Sequence, residues 1–153
     1  MRRMTTTPAS NPPAALPLPY GPPLSLAQAK VIMAAAEHEA NANHWPMAIA
    51  IVDSTGHLAL FQRIDQTQLG SMEVSVAKAM TAVRFRRPTK VFEDAMAAGG
   101  AGWRLATMPG VTALEGGMPI VVAGQVIGAI GVSGMLSSQD AQVAMAGLAA
   151  LAG

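Results

Sequence analysis

The chain has 153 residues, no cysteine and a formal net charge of +1, with 12% charged and 51% hydrophobic residues. This length predicts one domain with its own core, and the lack of cysteine excludes disulfides, thiolate metal sites and thiol nucleophiles. The nearly neutral net charge does not indicate the basic surface of a nucleic-acid-binding protein. The fraction of charged residues is about half the usual one, which predicts that some surface is buried in a homo-oligomer.

The amino-terminal segment is rich in proline. Residues 1–23 contain seven of the eleven prolines, and proline lacks the amide donor that helices and sheets need. We therefore predict a flexible arm over 1–23, either disordered or extended along a neighbouring subunit, followed by a domain over 24–153. The pair Arg2-Arg3 precedes a polar stretch, not the apolar region of an export signal, and no apolar run is long enough to span a membrane. We expect a cytoplasmic protein with no membrane partner.

Capping and turn signals place the first elements. Ser25 and Gln28 form a capping-box pattern, and the apolar spacing that follows predicts a helix to about Ala42. Two apolar runs then flank a turn from Asp53 to Gly56, which predicts a β-hairpin. The Asp53 carboxylate is expected to bind backbone amides in that turn, and Gly56 to adopt a positive φ.

The second half of the chain again has predicted helices followed by a predicted hairpin. Residues 70–86 have one helical stripe, with Ser71 as the predicted cap and Met72, Val76, Ala79, Met80 and Val83 as the predicted core face. Further helices are predicted over 89–98 and 101–108. A second hairpin is predicted over 118–132, with Gly124-Gln125 as its turn, and a last helix starts near Ser138. The expected fold class is α+β, an antiparallel sheet built from two hairpins with helices packed on it.

Four segments contain motifs that occur in the same order in one known family. In the first hairpin the motif residues are Ala48 to Asp53, Gly56 to Leu58, Phe61 and Arg63 to Asp65, and in the central helix they are Ser71 through Lys78-Ala79, Thr81-Ala82 and Phe85. In the closing hairpin they are Gly116 to Ile120 and Gly128 to Gly134, and in the last helix Gln139-Asp140. These motifs resemble the GlcG/HbpS-like family, also called the haem-degrading domain or the PduO C-terminal-like family. The resemblance covers residues 24–152. It implies an α/β domain around an antiparallel sheet, assembled into dimers or rings, that binds haem in some members and accompanies glycolate, diol or aromatic catabolism in others.

Haem is the candidate cofactor, and its iron needs a ligand such as His, Met or Tyr. The histidines are His38, His44 and His57, and no two of them have the spacing of a zinc helix. His38 is the preferred haem ligand because it lies on a predicted helix. The alternative for each histidine is a solvated surface position, and no metal site is predicted.

The remaining candidates are charged residues and glycines. Glu73 and Lys78 lie on the central helix about 140° apart, so each is expected to face solvent, a pocket or a neighbour separately. Arg63 and Arg84 are candidate carboxylate-binding residues. The alternative for Arg84, which clusters with Arg86 and Arg87, is a role at a subunit interface or at the negative end of the helix dipole. By the family resemblance, Gly116 and Gly117 form a tight bend beside the pocket.

Three functions fit these observations. The preferred one is an accessory protein that binds haem or a small organic acid in a pocket of an oligomeric domain. The second is an enzyme acting on a small carboxylate, in which Glu73, Asp53 or Lys78 supplies acid–base chemistry and an arginine holds the substrate. The third is a structural oligomer without a ligand. No nucleophile motif is present, because Ser133 lacks the glycine spacing of a nucleophile elbow.

Overall fold

Four strands and their connecting helices make up the computed structural model, which describes residues 16–152. The elements are α1 (Leu26–Ala42), β1 (Ala48–Asp53), β2 (Leu58–Arg63), α2 (Gly70–Phe85), α3 (Lys90–Ala97), a 3-10 helix (Gly100–Thr107), β3 (Gly117–Val122), β4 (Gln125–Ser133) and α4 (Ser137–Ala152). The strands form one antiparallel sheet in the order β2-β1-β4-β3. This arrangement confirms the predicted α+β class and both hairpins. Among the described residues, no helix has the length and apolarity needed to cross a membrane.

Local hydrogen bonds explain where α1 begins and where the first hairpin turns. The Ser25 hydroxyl accepts a hydrogen bond from the Gln28 amide at 3.1 Å, and the Gln28 side chain accepts one from the Ser25 amide at 2.8 Å. In the β1–β2 turn, the Asp53 carboxylate accepts hydrogen bonds from the amides of Thr55 and His57, and Gly56 has a φ of 82°. Both predicted signals are therefore confirmed, because side-chain oxygens satisfy amides that have no backbone partner.

Two predicted boundary residues are wrong. Helix α2 begins after Leu69 without a side-chain cap, and Ser71 is instead buried one position inside the helix. The β3–β4 turn is formed by Ala123 and Gly124, with φ values of 50° and 73°, and not by Gly124-Gln125. Two successive positive φ angles suit the twist of a two-residue hairpin, which moves the turn by one residue.

The sheet separates two layers of helices. Helices α1 and α4 cover one face, where Ile49, Ile51, Ile130 and Val132 join a core with the buried residues of both helices. Helix α2 covers the other face, where Ala50, Val52 and Ala129 pack against Ala79, Ala82 and Val83. Residues on these strands alternate between the two cores, as the two-residue repeat of a strand requires.

Glycines let α2 approach the sheet closely. A Cβ on Gly131 would lie 2.0 Å from the Ser75 carbonyl oxygen, and one on Gly117 would lie 2.4 Å from the Lys78 carbonyl oxygen. Glycine at these positions allows the helix backbone to contact the strands directly. Consequently the small residues of α2 face the sheet, and the larger Met72, Val76 and Met80, predicted as core, are only half-buried.

The end of the proline-rich segment contacts the domain. Gly21 donates a backbone hydrogen bond to Val126 at 2.9 Å, and Leu24 donates one to Ile127 at 3.0 Å. The Tyr20 hydroxyl donates to the Val83 carbonyl at 2.7 Å. The rest of the predicted arm, residues 1–15, lies outside the described residues.

Candidate functional site

An open groove of about 770 Å³ runs along the flank of α2 that lies beside β2. Helix α2, strand β2 and the segment 110–112 form its walls, and we call it the α2 groove. Its lining residues are Leu58, Phe61, Met72, Glu73, Val76, Ala77, Met80, Arg84, Gly110, Val111 and Thr112. Ligand pockets usually have such a volume and mostly apolar walls with a few polar groups.

The helical repeat distributes these side chains along the groove. Val76, Met80 and Arg84 are spaced four residues apart and therefore lie on one face of the helix. Glu73 and Arg84, eleven residues apart, are only about 20° apart around the axis but about 16 Å apart along it. The groove thus has a carboxylate near one end, a guanidinium near the other and an apolar stretch between them.

A buried hydroxyl attaches the third wall to α2. Thr81 is fully buried, and its hydroxyl lies 2.8 Å from the Ala77 carbonyl and 3.3 Å from the Gly110 carbonyl. The same oxygen accepts a hydrogen bond from the Thr112 amide at 2.9 Å. Because the hydroxyl both donates and accepts, it fixes the segment 110–112, and with it this wall of the groove, against the helix.

Of the residues predicted for the site, Glu73 and Arg84 line the groove. Arg63 lies next to it, with Nη1 3.9 Å from the sulfur of Met72. His38 is exposed on α1, in the helical layer on the other side of the sheet. Asp53 lies in the β1–β2 turn, where burial favours a higher pKa but hydrogen bonds from Thr55 and His57 lower it below the usual range.

Lys78 is buried in an ion pair, so it faces neither solvent nor the α2 groove, which were among the positions expected for it. It is only 2% exposed, and its Nζ lies 2.8 Å from Oδ2 of Asp140 and 2.9 Å from the Val132 carbonyl oxygen. The other Asp140 oxygen accepts a hydrogen bond from the Met135 amide. Burial raises the pKa of Asp140, against the opposing effects of the Lys78 ammonium and the Met135 amide.

The glycine bend lies beside this ion pair. A Cβ on Gly116 would be 2.9 Å from Nζ of Lys78, and Gly117 contacts the backbone of Lys78. Both glycines are buried and neither is among the residues that line the α2 groove. Their observed contacts join α2, β3 and the start of α4, so the bend serves the packing of these elements.

The lining of the groove fits the chemistry of a haem group in three respects. Its walls are apolar, it contains the thioethers of Met72 and Met80, which belong to the set of haem-iron ligands, and Arg84 can pair with a propionate. The lining contains no histidine. Among the described residues, no group of three or more His, Asp or Glu side chains could hold a metal ion.

Several lining residues have no motif that marks them as functional. Met72, Val76 and Met80 have the spacing of a core stripe, and Leu58 and Phe61 have that of a strand. Gly110 follows Pro109 in what the sequence predicts only as a turn. The signal that could have identified them is the small-residue face of α2 together with Gly131, because a helix that packs through small residues leaves its larger ones outside.

Comparison with known proteins gives consistent relatives. The family described as "Haem degrading protein HbpS-like" matches residues 24–149. Protein GlcG of Escherichia coli is 45% identical over 110 residues, which cover 72% of this chain and 81% of GlcG.

Two solved structures have the same fold. Protein ORFY of Klebsiella pneumoniae matches with a TM-score of 0.82 and 27% identity, covering 97% of this chain and 98% of ORFY. A structure described as the PduOC:heme complex matches with a TM-score of 0.76 and 28% identity, covering 84% of this chain and 94% of that one. The extent of these matches shows that the chain belongs to the HbpS-like family.

Proposed function

We propose that this chain is a ligand-binding accessory protein and that its α2 groove binds haem. The observation that carries the proposal is the groove itself, an apolar space of about 770 Å³ that contains two thioethers and a guanidinium. A porphyrin has a large apolar body and an anionic edge, and both have complementary groups in this lining. The description of the family and the haem complex of PduOC, a structural relative, support the choice of haem.

A haemin titration followed by visible spectroscopy tests this proposal. We expect the wild-type protein to shift the Soret band at micromolar haemin. Val76→Glu places a carboxylate in the apolar part of the groove, where burial of a charge is unfavourable, and should weaken binding about tenfold or more. Val31→Glu is the matched control, because Val31 is 46% exposed on α1, on the other side of the sheet. Equal binding by the two variants would contradict the location.

Conservative variants identify the iron ligand. Met72→Leu and Met80→Leu keep nearly the same volume but remove the sulfur, so a spectral change in one of them assigns that thioether. His38→Ala should leave the spectrum unchanged, because His38 lies across the sheet from the groove. Loss of a His-ligated spectrum in His38→Ala would instead assign the ligand to His38 and move the site to α1.

The second candidate is an enzyme that acts on a small carboxylate. It is supported by Glu73 and Arg84, which line one groove and could serve as acid–base group and carboxylate anchor. Asp53 and Lys78 are already engaged with other protein groups, so this alternative depends on Glu73. Turnover of an organic acid by the purified protein that is lost in Glu73→Gln would favour the enzyme over the binding protein.

We also propose that the chain works as a homo-oligomer. Helix α4 carries no charged residue after Asp140, and its Met145 is 57% exposed, while Leu136 just before the helix is 68% exposed. Exposed apolar side chains of this size are commonly covered by a second subunit. Light scattering should give a mass well above 15.7 kDa, and Ala146→Arg should reduce it. A wild-type mass near that of one chain at micromolar concentration would contradict the proposal.

A further inference from the structure

The guanidinium of Arg84 lies directly against the backbone of Gly110. Gly110 has a φ of 73°, and a Cβ built on it would be 2.6 Å from Nη1 and 3.7 Å from Cζ of Arg84. The positive φ favours glycine at this position, and a Cβ there would displace the Arg84 guanidinium from where it lies. Thr81 ties the same segment to α2, so the backbone beside the Arg84 guanidinium is fixed against the helix.

The charge of Arg84 has no counter-ion among residues 16–152. In the part of the chain that the structure describes, the ion pairs involve Lys78 and Lys90, and no carboxylate lies within 4.0 Å of Arg84. An arginine stays protonated at any physiological pH. The one acidic residue among those that line the groove is Glu73, about three helical turns away. An anion supplied from outside the chain can therefore pair with Arg84.

We infer that Arg84 is the anion anchor of the α2 groove and that Gly110 is its positioning residue. The inference rests on the proposed function, since it assigns the class of ligand that the same groove selects. That class is an apolar molecule with its carboxylates on one edge. The carboxylate edge pairs with Arg84, and the apolar body lies along Met80 and Val76.

Glu73 gives the ligand a direction. A carboxylate at the other end of the ligand would approach Glu73, and like charges at short distance disfavour binding. The groove should therefore accept haem, whose two propionates share one edge, and discriminate against apolar dicarboxylates of similar length whose acid groups lie at opposite ends. Charge placement along one face of α2 thus determines both selectivity and orientation.

Two comparisons test the anchor: Arg84→Gln with the wild type, and haemin with its dimethyl ester. Arg84→Gln should weaken haemin binding about tenfold to hundredfold, the loss expected for a hydrogen bond between charged groups. The dimethyl ester of haemin, measured in the same cosolvent, should bind wild type and Arg84→Gln equally because it carries no propionate charge. Unchanged haemin affinity in Arg84→Gln, or an equal loss for the ester, would overturn the inference.

A matched pair of glycines tests the positioning role. Gly110 and Gly124 have the same φ of 73°, which is strained for alanine at both positions, but nothing lies within 4 Å of a Cβ on Gly124. Gly110→Ala should weaken haemin binding and leave ester binding unchanged, whereas Gly124→Ala should bind both as wild type does. Equal haemin affinity in the two alanine variants would show that Gly110 does not position Arg84.

The outcomes separate this inference from the proposed function. If Val76→Glu weakens haemin binding but Arg84→Gln does not, the groove is the site and the anchor is wrong. If neither variant changes binding, or if the wild type does not bind haemin, the proposed function and the anchor both fail. A Gly110→Ala protein that does not fold leaves the decision to the Arg84→Gln and ester measurements.

Discussion

The two sides of α2 differ in what their side chains contact. The side facing the sheet packs through Ser75, Ala79 and the backbone of Lys78 against a sheet whose glycines leave no room for a Cβ. The flank beside β2 presents Met72, Val76 and Met80 to an open groove. The small residues of this helix therefore stabilise the fold, while its larger apolar residues line the groove.

Breaking the buried ion pair on the sheet side should have the largest effect. Lys78→Met leaves Asp140 buried without its partner, and we expect a loss of about 3–5 kcal/mol in the free energy of unfolding. The double variant Lys78→Met with Asp140→Leu should cost much less than the sum of the two single changes. Urea denaturation of the four proteins measures the coupling, and additive single effects would show that the pair does not act as a unit.

Filling the close contact between α2 and β4 should have a smaller effect. Gly131→Ala places a Cβ 2.0 Å from the Ser75 carbonyl oxygen, and such overpacking costs about 1–3 kcal/mol. Val76→Ala on the groove side should cost about 1 kcal/mol or less, because this residue is only half-buried. Thermal or urea unfolding that ranks Val76→Ala as the more destabilising change would reverse the assignment of the two sides.

The β1–β2 turn, which carries Leu58 to the edge of the groove, should show the smallest effect and a dependence on pH. The pKa of Asp53 is lowered in the folded state, so its ionised form stabilises the fold above its ordinary pKa of 3.8. This contribution is lost as the pH falls through the lowered value. Asp53→Asn should therefore be less stable than wild type at pH 7, and the difference should shrink in acid.

Asp65→Asn is the control for this experiment. Asp65 is exposed, and within residues 16–152 its carboxylate has no ion-pair partner. Urea unfolding at pH 7 and in acid should give the same stability for Asp65→Asn and wild type. A difference between Asp53→Asn and wild type that persists unchanged in acid would exclude the carboxylate as its cause.

The parts of the fold determined by local chemistry can be predicted from the sequence. The capping pair Ser25 and Gln28, and the turn residues Asp53 and Gly56, act through amides a few positions away. The α+β class follows from the alternation of such elements and is confirmed. The pairing of β1 with β4 joins distant parts of the chain, and no local signal indicates it.

The candidate site is less predictable because it depends on contacts between elements. Met80 has the spacing of a core residue, and only the glycine contacts of β4 explain why it lies at the edge of the core and lines the groove. Lys78 is on the same helix as Glu73, yet its environment is decided by Asp140, sixty-two positions later in the chain. The sequence suggests Arg84 as a carboxylate-binding residue, but its contact with Gly110 depends on how the segment 110–112 folds back onto α2.

Paramagnetic broadening by haemin shows directly which residues lie beside the bound ligand. In a backbone amide NMR spectrum of the isotope-labelled protein, ferric haemin should broaden signals from residues 58–61, 72–84 and 110–112. The diamagnetic zinc porphyrin should shift the same signals without broadening them. Signals around His38 on α1 should remain sharp. Broadening centred on His38, with the α2 signals retained, would contradict binding in the α2 groove.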